Sequence, residues 1–186
     1  MVAGAGRRAV FLDRDGVVNA TAVINGKPVA PRRVEDFQLL PGVAAAMRRL
    51  RRAGFFICIV TNQPDIGNGL VDSGMVAAMH ARLRHELPID EIEMCPHRQI
   101  DNCLCRKPKP GMLRTAAKRH RLDLTMSYMV GDRDSDVLAG AAAGCYTVFI
   151  HRGYEESRQY LLAADFIAHS LSEAVHIVLS RQAWGH

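Results

Sequence analysis

Short apolar runs rich in β-branched residues alternate along the chain with longer stretches whose apolar positions recur at helical spacing. Five runs predict strands: AVFLD (9–13), FFICIVTN (55–62), IDEIEMC (89–95), SYMVGD (127–132) and CYTVFI (145–150). The helical pattern occupies residues 42–54, 73–87, 110–121, 136–144 and 174–181. Strands that alternate with helices predict an α/β fold, with a parallel sheet covered by helices on both faces. We expect one domain spanning residues 1–186.

Several residues mark the ends of the predicted helices. Gly54 follows the first helix where a C-terminal glycine is expected, and Pro110 suits the first turn of a later one. Ser170 and Glu173 have the spacing of a capping box ahead of the last helix.

Polar side chains collect where the predicted strands end. They are Asp13 and Asp15, Thr61 and Asn62, and Asp132 and Asp136. In open parallel sheets, ligands bind outside the carboxyl ends of the strands. The pattern therefore predicts a binding site at that edge of the sheet.

Composition is that of an ordinary globular protein, with 48% hydrophobic and 23% charged residues in a chain of 186. No apolar run approaches the roughly 20 residues that span a bilayer, and we read no signal peptide at the start. The five cysteines do not resemble a secreted disulfide framework, and Cys58 and Cys145 fit buried strand positions. We therefore expect a cytoplasmic protein without a membrane partner.

A net charge of +5 and a pI near 9.2 suit an anionic substrate or a nucleic acid. Much of the excess lies in MRRLRRAG and LRTAAKRHR, which we interpret as solvated helix faces. Aromatic residues make up 6% of the chain, and few lie near these stretches to stack on bases. We expect no nucleic-acid partner.

The polar strand ends carry complementary chemistry. In FLDRDGVVN, Asp13 and Asp15 can point the same way because they are two residues apart, and Gly16 lets the chain turn. Thr61 and Asn62 offer a hydroxyl and backbone amides to a phosphate. Lys107 adds a compact cation, and GDRDSD adds carboxylates of the kind that Mg²⁺ prefers.

This order of motifs resembles the haloacid dehalogenase superfamily of phosphohydrolases. FLDRDGVVN, VTN, RKPKPG and VGDRDSD carry the resemblance, which covers nearly the whole chain. It implies a Rossmann-like fold, here without a large cap domain. It also implies that residues 19–37 form a small flap over the site.

The resemblance implies a role for each motif residue. Asp13 attacks phosphorus, and Asp15 acts as general acid and then as general base. The Thr61 hydroxyl, the Asn62 amide and Lys107 hold the phosphoryl oxygens. Asp13, the carbonyl oxygen of Asp15 and Asp132 bind Mg²⁺, while Asp136 orients metal-bound waters or Lys107.

A separate metal site is predicted in CPHRQIDNCLC (95–105). Cys95, His97, Cys103 and Cys105 satisfy tetrahedral Zn²⁺ and leave no position for water, which is typical of a structural site. A cluster of reduced cysteines or a redox site is the alternative. Because Arg106 and Lys107 follow directly, zinc would fix both cations, with Arg106 free to contact a second group of the substrate.

The zinc loop resembles two groups within the superfamily, the heptose-bisphosphate phosphatases and the histidinol-phosphate phosphatases. RKPKPGML and SYMVGD favour the heptose group, whereas the short spacer RQIDN favours the histidinol group. PDIGNG departs from the heptose pattern, with Asp65 and Asn68 expected to face the substrate. Asn68 replaces a cation there, for which Arg14, Arg32, Arg33 or Arg133 could compensate.

The resemblance favours a small phosphorylated sugar as substrate and a monomer as the working form. Histidinol phosphate or another small sugar or polyol phosphate is the alternative within the class. A nucleic-acid 3′-end phosphatase and a zinc-stabilised binding module without turnover are the alternatives from other classes.

Overall fold

In a computed structural model, which describes residues 6–24, 26–153 and 163–183, six parallel strands form the central sheet in the order β5-β4-β1-β6-β7-β8. Their bounds are β1 Ala9–Leu12, β4 Phe56–Asn62, β5 Glu91–Cys95, β6 Tyr128–Gly131, β7 Tyr146–Ile150 and β8 Phe166–Ala168. The predicted α/β class is confirmed. A separate antiparallel hairpin consists of β2 Ala22–Ile24 and β3 Lys27–Val29.

The helices are α1 Val43–Arg52, α2 Pro64–Gly67, α3 Ser73–Glu86, α4 Gly111–His120, α5 Asp134–Ala143 and α6 Leu171–Ala183. Helices α1, α3 and α6 pack on one face of the sheet, and α4 and α5 pack on the other. None of the described helices is long and apolar enough to cross a membrane.

Strand β1 lies at the centre of the sheet because it pairs with β4 on one side and with β6 on the other. Its residues alternate between the two cores, with Val10 and Leu12 on the α1 face and Ala9 and Phe11 on the α4 face. All four are fully buried, which explains a continuous apolar run rather than an alternating one. The run delivers Asp13 to the carboxyl edge, where its N–H donates to Val130 O.

The ends of the helices agree with the sequence pattern with two differences. Gly54 has a φ of 82° directly after the residue that caps α1, as a C-terminal glycine should. Pro110 is the N-cap of α4 rather than part of its first turn. Ser170 Oγ accepts from the Glu173 N–H, but the Glu173 carboxylate accepts from His169 N–H instead of Ser170, so the predicted capping box is shifted by one residue.

Candidate active site

A cavity of about 520 Å³ opens at the carboxyl ends of β1, β4 and β6, beneath the β2–β3 hairpin. This is the edge at which the sequence predicted a site. The residues that line the cavity are Asp13, Asp15, Pro28, Val29, Ala30, Arg32, Asn62, Gln63, Pro64, Asp65, Gln99, Arg106, Lys107, Pro108, Arg133, Asp134 and Ser135.

Lys107 is the buried cation at the bottom of this cavity. Its Nζ donates to Val60 O at 2.8 Å and lies 2.9 Å from Asp13 Oδ1 and 2.6 Å from Asp136 Oδ1. The three hydrogens of the ammonium thus have three partners, which fixes its position. The Lys107 backbone is held as well, because Asn62 donates from Nδ2 to Lys107 O and accepts at Oδ1 from Lys107 N–H.

The carboxylates of the site are buried and close together, which shifts their proton affinities. Burial, followed by the charge of Asp136, raises the pKa of Asp13 to about 6 against the opposing effect of Lys107. Burial and the charges of Asp13 and Asp136 raise the pKa of Asp132 well above its ordinary value. Burial alone would lower the pKa of Lys107, but Asp13 and Asp136 outweigh it and raise that pKa.

The same carboxylates have the arrangement that a hard divalent cation requires. One oxygen each from Asp13, Asp132 and Asp136 lie within 4.8 Å of one another. Both oxygens of Asp132 are buried, and neither has a hydrogen-bond partner among the described residues. Buried carboxylate oxygens normally have partners, so this site fits a cation ligated by oxygen.

Gly16 makes room for the Asp132 carboxylate. It has a φ of 86°, and a Cβ built on it would collide with Asp132 Oδ2. Gly16 therefore lets the chain turn sharply after Asp15 and also leaves the space that the Asp132 carboxylate occupies.

Substituting Gly16 by alanine is expected to lower both stability and activity, because it adds backbone strain and displaces Asp132. The strain costs about 1–3 kcal/mol of unfolding free energy. Gly54→Ala is the matched control, since Gly54 also has a positive φ but open space around a built Cβ. The melting temperature should fall in both variants, whereas the Mg²⁺ concentration that gives half-maximal activity should rise in Gly16→Ala alone. Equal Mg²⁺ dependence in the two variants would contradict this account of Gly16.

Asp15 lies beside Asp13 in the cavity wall, with its carboxylate held by donors from both sides. Arg14 Nη2 lies 2.9 Å from Oδ1, and Gln63 Nε2 donates to Oδ2 at 2.7 Å. Arg14 is itself fully buried and does not line the cavity, so the prediction that it contacts substrate is wrong. The Arg14 guanidinium is held in the interior by Asp15 and by His80, whose Nε2 lies 3.2 Å from Arg14 Nη1.

Of the remaining residues that were predicted to contact the phosphate or the substrate, some line the cavity and others do not. Asn62 lines the cavity, but Thr61 is fully buried, and its hydroxyl oxygen accepts from Gln63 Nε2 at 2.8 Å. Asn68 caps the C-terminus of α2 and is exposed outside the cavity, so it does not face the substrate as expected. Asp65 does line the cavity.

Three arginines stand around the cavity. Arg106 Nη1 is buried and has no hydrogen-bond partner among the described residues. Arg32 is paired with Asp65 at 2.8 Å, and Arg133 donates to Pro28 O at 3.0 Å. The last two bonds tie the flap to the body of the domain. The Arg33 side chain is 71% exposed and pairs with Glu35, and Arg33 does not line the cavity.

The zinc loop brings its four predicted ligands together. Cys95 Sγ lies 3.5 Å from His97 Nδ1 and 3.5 Å from Cys103 Sγ, and Cys105 Sγ lies 3.2 Å from His97 Nδ1 and 3.4 Å from Cys103 Sγ. These separations are close to the edges of a tetrahedron around Zn²⁺ and far too long for a disulfide. The donor set therefore fits the metal.

The electrostatics of the loop also favour thiolate at one position. Burial raises the pKa of Cys95 to about 12. The Arg106 N–H and the neighbouring sulfurs outweigh desolvation at Cys103 and lower its pKa to about 7. The loop is fixed to the cavity by backbone bonds, since Gln63 N–H donates to Cys95 O and Gly67 N–H donates to Pro96 O.

Comparison with known proteins places this site in a family. A family model described as HAD-hydrolase-like matches residues 104–174. A D-glycero-D-manno-heptose-1,7-bisphosphate 7-phosphatase of Thermosynechococcus vestitus is 36% identical, over 95% of this chain and 98% of the relative. The chain belongs to the heptose-bisphosphate phosphatase family of the haloacid dehalogenase superfamily.

Further members of the heptose-bisphosphate phosphatase family agree with this assignment. The D-glycero-beta-D-manno-heptose-1,7-bisphosphate 7-phosphatase of Rhodopseudomonas palustris is 41% identical over 77% of this chain and 84% of the relative. The crystal structure of D,D-heptose 1,7-bisphosphate phosphatase from B. bronchiseptica, complexed with magnesium and phosphate, superposes with a TM-score of 0.79. It is 31% identical and covers 94% of this chain and 99% of that one. The haloacid dehalogenase fold and a phosphoric monoester hydrolase activity are therefore confirmed, and the histidinol group is not favoured.

Residues of this family member that the sequence analysis did not single out also shape the site. Gln63 and Asn19 contact Asp15, and Pro28, Val29 and Ala30 form the flap wall of the cavity. Gln63 directly follows a strand end, so the rule that placed Thr61 and Asn62 could have included it. The hairpin strands have three residues each, too few for a periodic signal.

Proposed function

We propose that the chain is a Mg²⁺-dependent phosphatase that removes the 7-phosphate of D-glycero-D-manno-heptose 1,7-bisphosphate. The observation that carries the proposal is the buried group of Asp13, Asp132, Asp136 and Lys107, with the unpartnered Arg106 nitrogen in the same cavity wall. The first four residues have the carboxylates and the cation that phosphoryl transfer requires. Arg106 provides a contact for a second anionic group.

The reaction proceeds through Asp13 in two displacements. Among the described residues, the bonds to its carboxylate engage Oδ1 alone, so Oδ2 attacks phosphorus as the bond to the sugar oxygen breaks. Asp15 delivers a proton to that leaving oxygen. Water then attacks phosphorus, Asp15 takes a proton from the water, and the bond between phosphorus and Asp13 breaks to release phosphate.

The positive charge of Lys107 stabilises the negative charge that develops on the phosphoryl oxygens. The Asn62 side chain positions Lys107 through two hydrogen bonds to the Lys107 backbone. Thr61 and the Asn62 N–H are assigned to the same phosphate. Asp13, the Asp15 carbonyl oxygen and Asp132 are assigned to Mg²⁺, with Asp136 anchoring Lys107. When bound, Mg²⁺ offsets the repulsion between the anionic nucleophile and the anionic substrate.

Zinc bound by Cys95, His97, Cys103 and Cys105 is assigned a structural role. Because four protein ligands would complete its coordination, this ion would not contact substrate. With zinc bound, the start of the loop would stay against Gln63 and its end at Arg106, so the two sides of the cavity would keep their spacing.

Arg106 is proposed to bind the phosphate that is not hydrolysed. Arg106→Met should lower kcat/KM for the heptose bisphosphate by about 10- to 100-fold, the loss of one charge-assisted contact. For p-nitrophenyl phosphate, which has no second phosphate, kcat/KM should change by less than about threefold. Arg33→Met removes an exposed arginine of the flap and should leave both values unchanged. Equal losses on both substrates in Arg106→Met would contradict the assignment.

The substrate is tested by measuring phosphate release from both anomers of the heptose bisphosphate and from histidinol phosphate, with and without Mg²⁺. Mg²⁺-dependent preference for one heptose anomer supports the proposal and identifies the anomer. Preference for histidinol phosphate would overturn the substrate and retain the chemistry. Turnover of generic phosphate esters alone would do the same, and no turnover of any ester would favour a zinc-stabilised binding module.

A nucleic-acid phosphatase is less well supported by the distribution of charge. The basic helices α1 and α4 pack on opposite faces of the sheet, so their arginines do not form one groove. Arg119 of α4 is paired with Glu91 and Glu93, and Arg51 of α1 with Asp90.

We propose that the chain acts as a cytoplasmic monomer in the supply of activated heptose for surface polysaccharide, including lipopolysaccharide.

A further inference from the structure

The Asp15 carboxylate accepts hydrogen bonds from the side chains of three residues. Its Oδ1 accepts from Arg14 Nε at 3.2 Å, Arg14 Nη2 at 2.9 Å and Asn19 Nδ2 at 2.9 Å. Its Oδ2 accepts from Arg14 Nη2 at 3.0 Å and Gln63 Nε2 at 2.7 Å. Every one of these contacts constrains the direction of the carboxylate.

Arg14 is a charged side chain with no exposed surface. Its guanidinium is bound by Asp15, by His80 Nε2 at 3.2 Å and by the ring of Phe37, whose centroid lies 5.7 Å away. A buried ion pair costs several kcal/mol of desolvation that an apolar side chain of similar size would avoid, so it is weak support for stability. The pair is explained better by what it does to Asp15.

His80 is the far end of this chain of contacts. It lies on α3, is 8% exposed and does not line the cavity. An arginine only donates, so Nε2 is an acceptor and the ring is neutral with its hydrogen on Nδ1. Burial and the Arg14 charge lower the pKa of His80 to about 4, which keeps the ring neutral at physiological pH.

Gln63 holds Asp15 from the opposite side. Its Nε2 donates both to Asp15 Oδ2 and to Thr61 Oγ1 at 2.8 Å, and its N–H donates to Cys95 O. The amide therefore has no free hydrogen, and its position is set by strand β4 and by the zinc loop.

We propose that Gln63 and the Arg14–His80 pair are positioning residues that aim the Asp15 carboxylate between the leaving oxygen and the attacking water. The inference rests on the proposed function, in which Asp15 is the acid and base. It assigns a role in catalysis to His80, which lies on α3 and touches neither substrate nor the proposed metal ligands.

The test compares kcat/KM for the heptose bisphosphate with that for p-nitrophenyl phosphate, because kcat/KM reports the steps up to release of the leaving group. A sugar alkoxide needs a proton to leave, and p-nitrophenolate does not, so only the first substrate depends on a well-placed acid. Asp15→Asn sets the scale for complete loss of the acid. His80→Leu and Gln63→Met remove the two supports, and His85→Leu is the control at an exposed position of the same helix.

The expected result is a loss of about 10-fold in His80→Leu and Gln63→Met on the heptose bisphosphate, within the roughly 10²- to 10⁴-fold contribution of a general acid. On p-nitrophenyl phosphate the loss should stay within about twofold. His80→Gln offers an oxygen acceptor to Arg14 and should restore most of the lost rate. His85→Leu should match the wild type on both.

Equal losses on the two substrates, or no loss on either, would overturn the inference, and so would failure of His80→Gln to recover activity that His80→Leu has lost. If His80→Leu does not fold, Gln63→Met gives the same comparison on the opposite support. If Asp15→Asn itself affects both substrates equally, the proposed role of Asp15 fails. If Asp15→Asn separates the substrates and neither support variant does, only the positioning role fails.

Discussion

Asp13→Asn is expected to lower phosphate release by about 10⁴-fold or more, the usual effect of removing a nucleophile that forms a covalent intermediate. The amide keeps the shape of the carboxylate but cannot displace the sugar oxygen from phosphorus. The measurement is phosphate release from the heptose bisphosphate at saturating Mg²⁺. Acid quenching followed by peptide mass spectrometry should find a phosphoryl group on the Asp13 peptide in the wild type alone.

The same variant should remain folded. Burial and the Asp136 charge raise the pKa of Asp13 to about 6, so its ionised form is held at the expense of stability above that pH. A neutral amide removes this cost, and Lys107 keeps its contacts with Asp136 and Val60. Without added metal, the melting temperature at neutral pH should therefore equal or exceed that of the wild type. Asp36→Asn, at an exposed carboxylate, is the control, and substantial turnover by Asp13→Asn would remove Asp13 as nucleophile.

Loss of the zinc that we propose for residues 95–105 should produce the second large effect. Cys105→Ser replaces one of the four ligands at a half-buried position, so little packing is lost. Because a structural zinc would bind the folded chain far more tightly than the unfolded one, we expect the unfolding free energy to fall by at least about 3 kcal/mol. Activity should fall by about 10-fold or more, since the loop sets Arg106, Lys107 and the backbone of Gln63.

Three measurements on the purified protein check this expectation: zinc per chain by elemental analysis, thermal unfolding and phosphate release. Cys145→Ser, at a buried position outside the loop, should keep its zinc. A wild-type protein that contains no zinc, or one whose stability is unchanged by Cys105→Ser, would favour a cluster of reduced cysteines. A disulfide within the loop would favour a redox site.

Much of the fold was predictable because the signals are local. The buried strands β1, β4 and β6 appear as continuous apolar runs, and each ends at polar residues that reach the same edge of the sheet. Strand β8 and the hairpin were missed because three-residue strands have no periodicity to read. The tail of the predicted domain, residues 184–186, lies outside the described residues.

Arginines of the site were harder to predict than its carboxylates. The carboxylates are short, so a strand end fixes where their oxygens lie. An arginine can reach several directions from one Cα, and its direction depends on partners distant in sequence. Arg14 turns into the interior towards His80, whereas Arg106 faces the cavity.

The central place of β1 also bears on how the chain is synthesised. This strand precedes the other five of its sheet, yet both of its edges are covered only when β4 and β6 have been made. Until then the nascent chain carries an apolar strand with unpaired backbone groups, which is a template for aggregation. Folding must wait for contacts between segments far apart in sequence, and such topologies fold slowly. The residue we propose as nucleophile directly follows this strand, and yield in expression should depend on β6 as strongly as on β1.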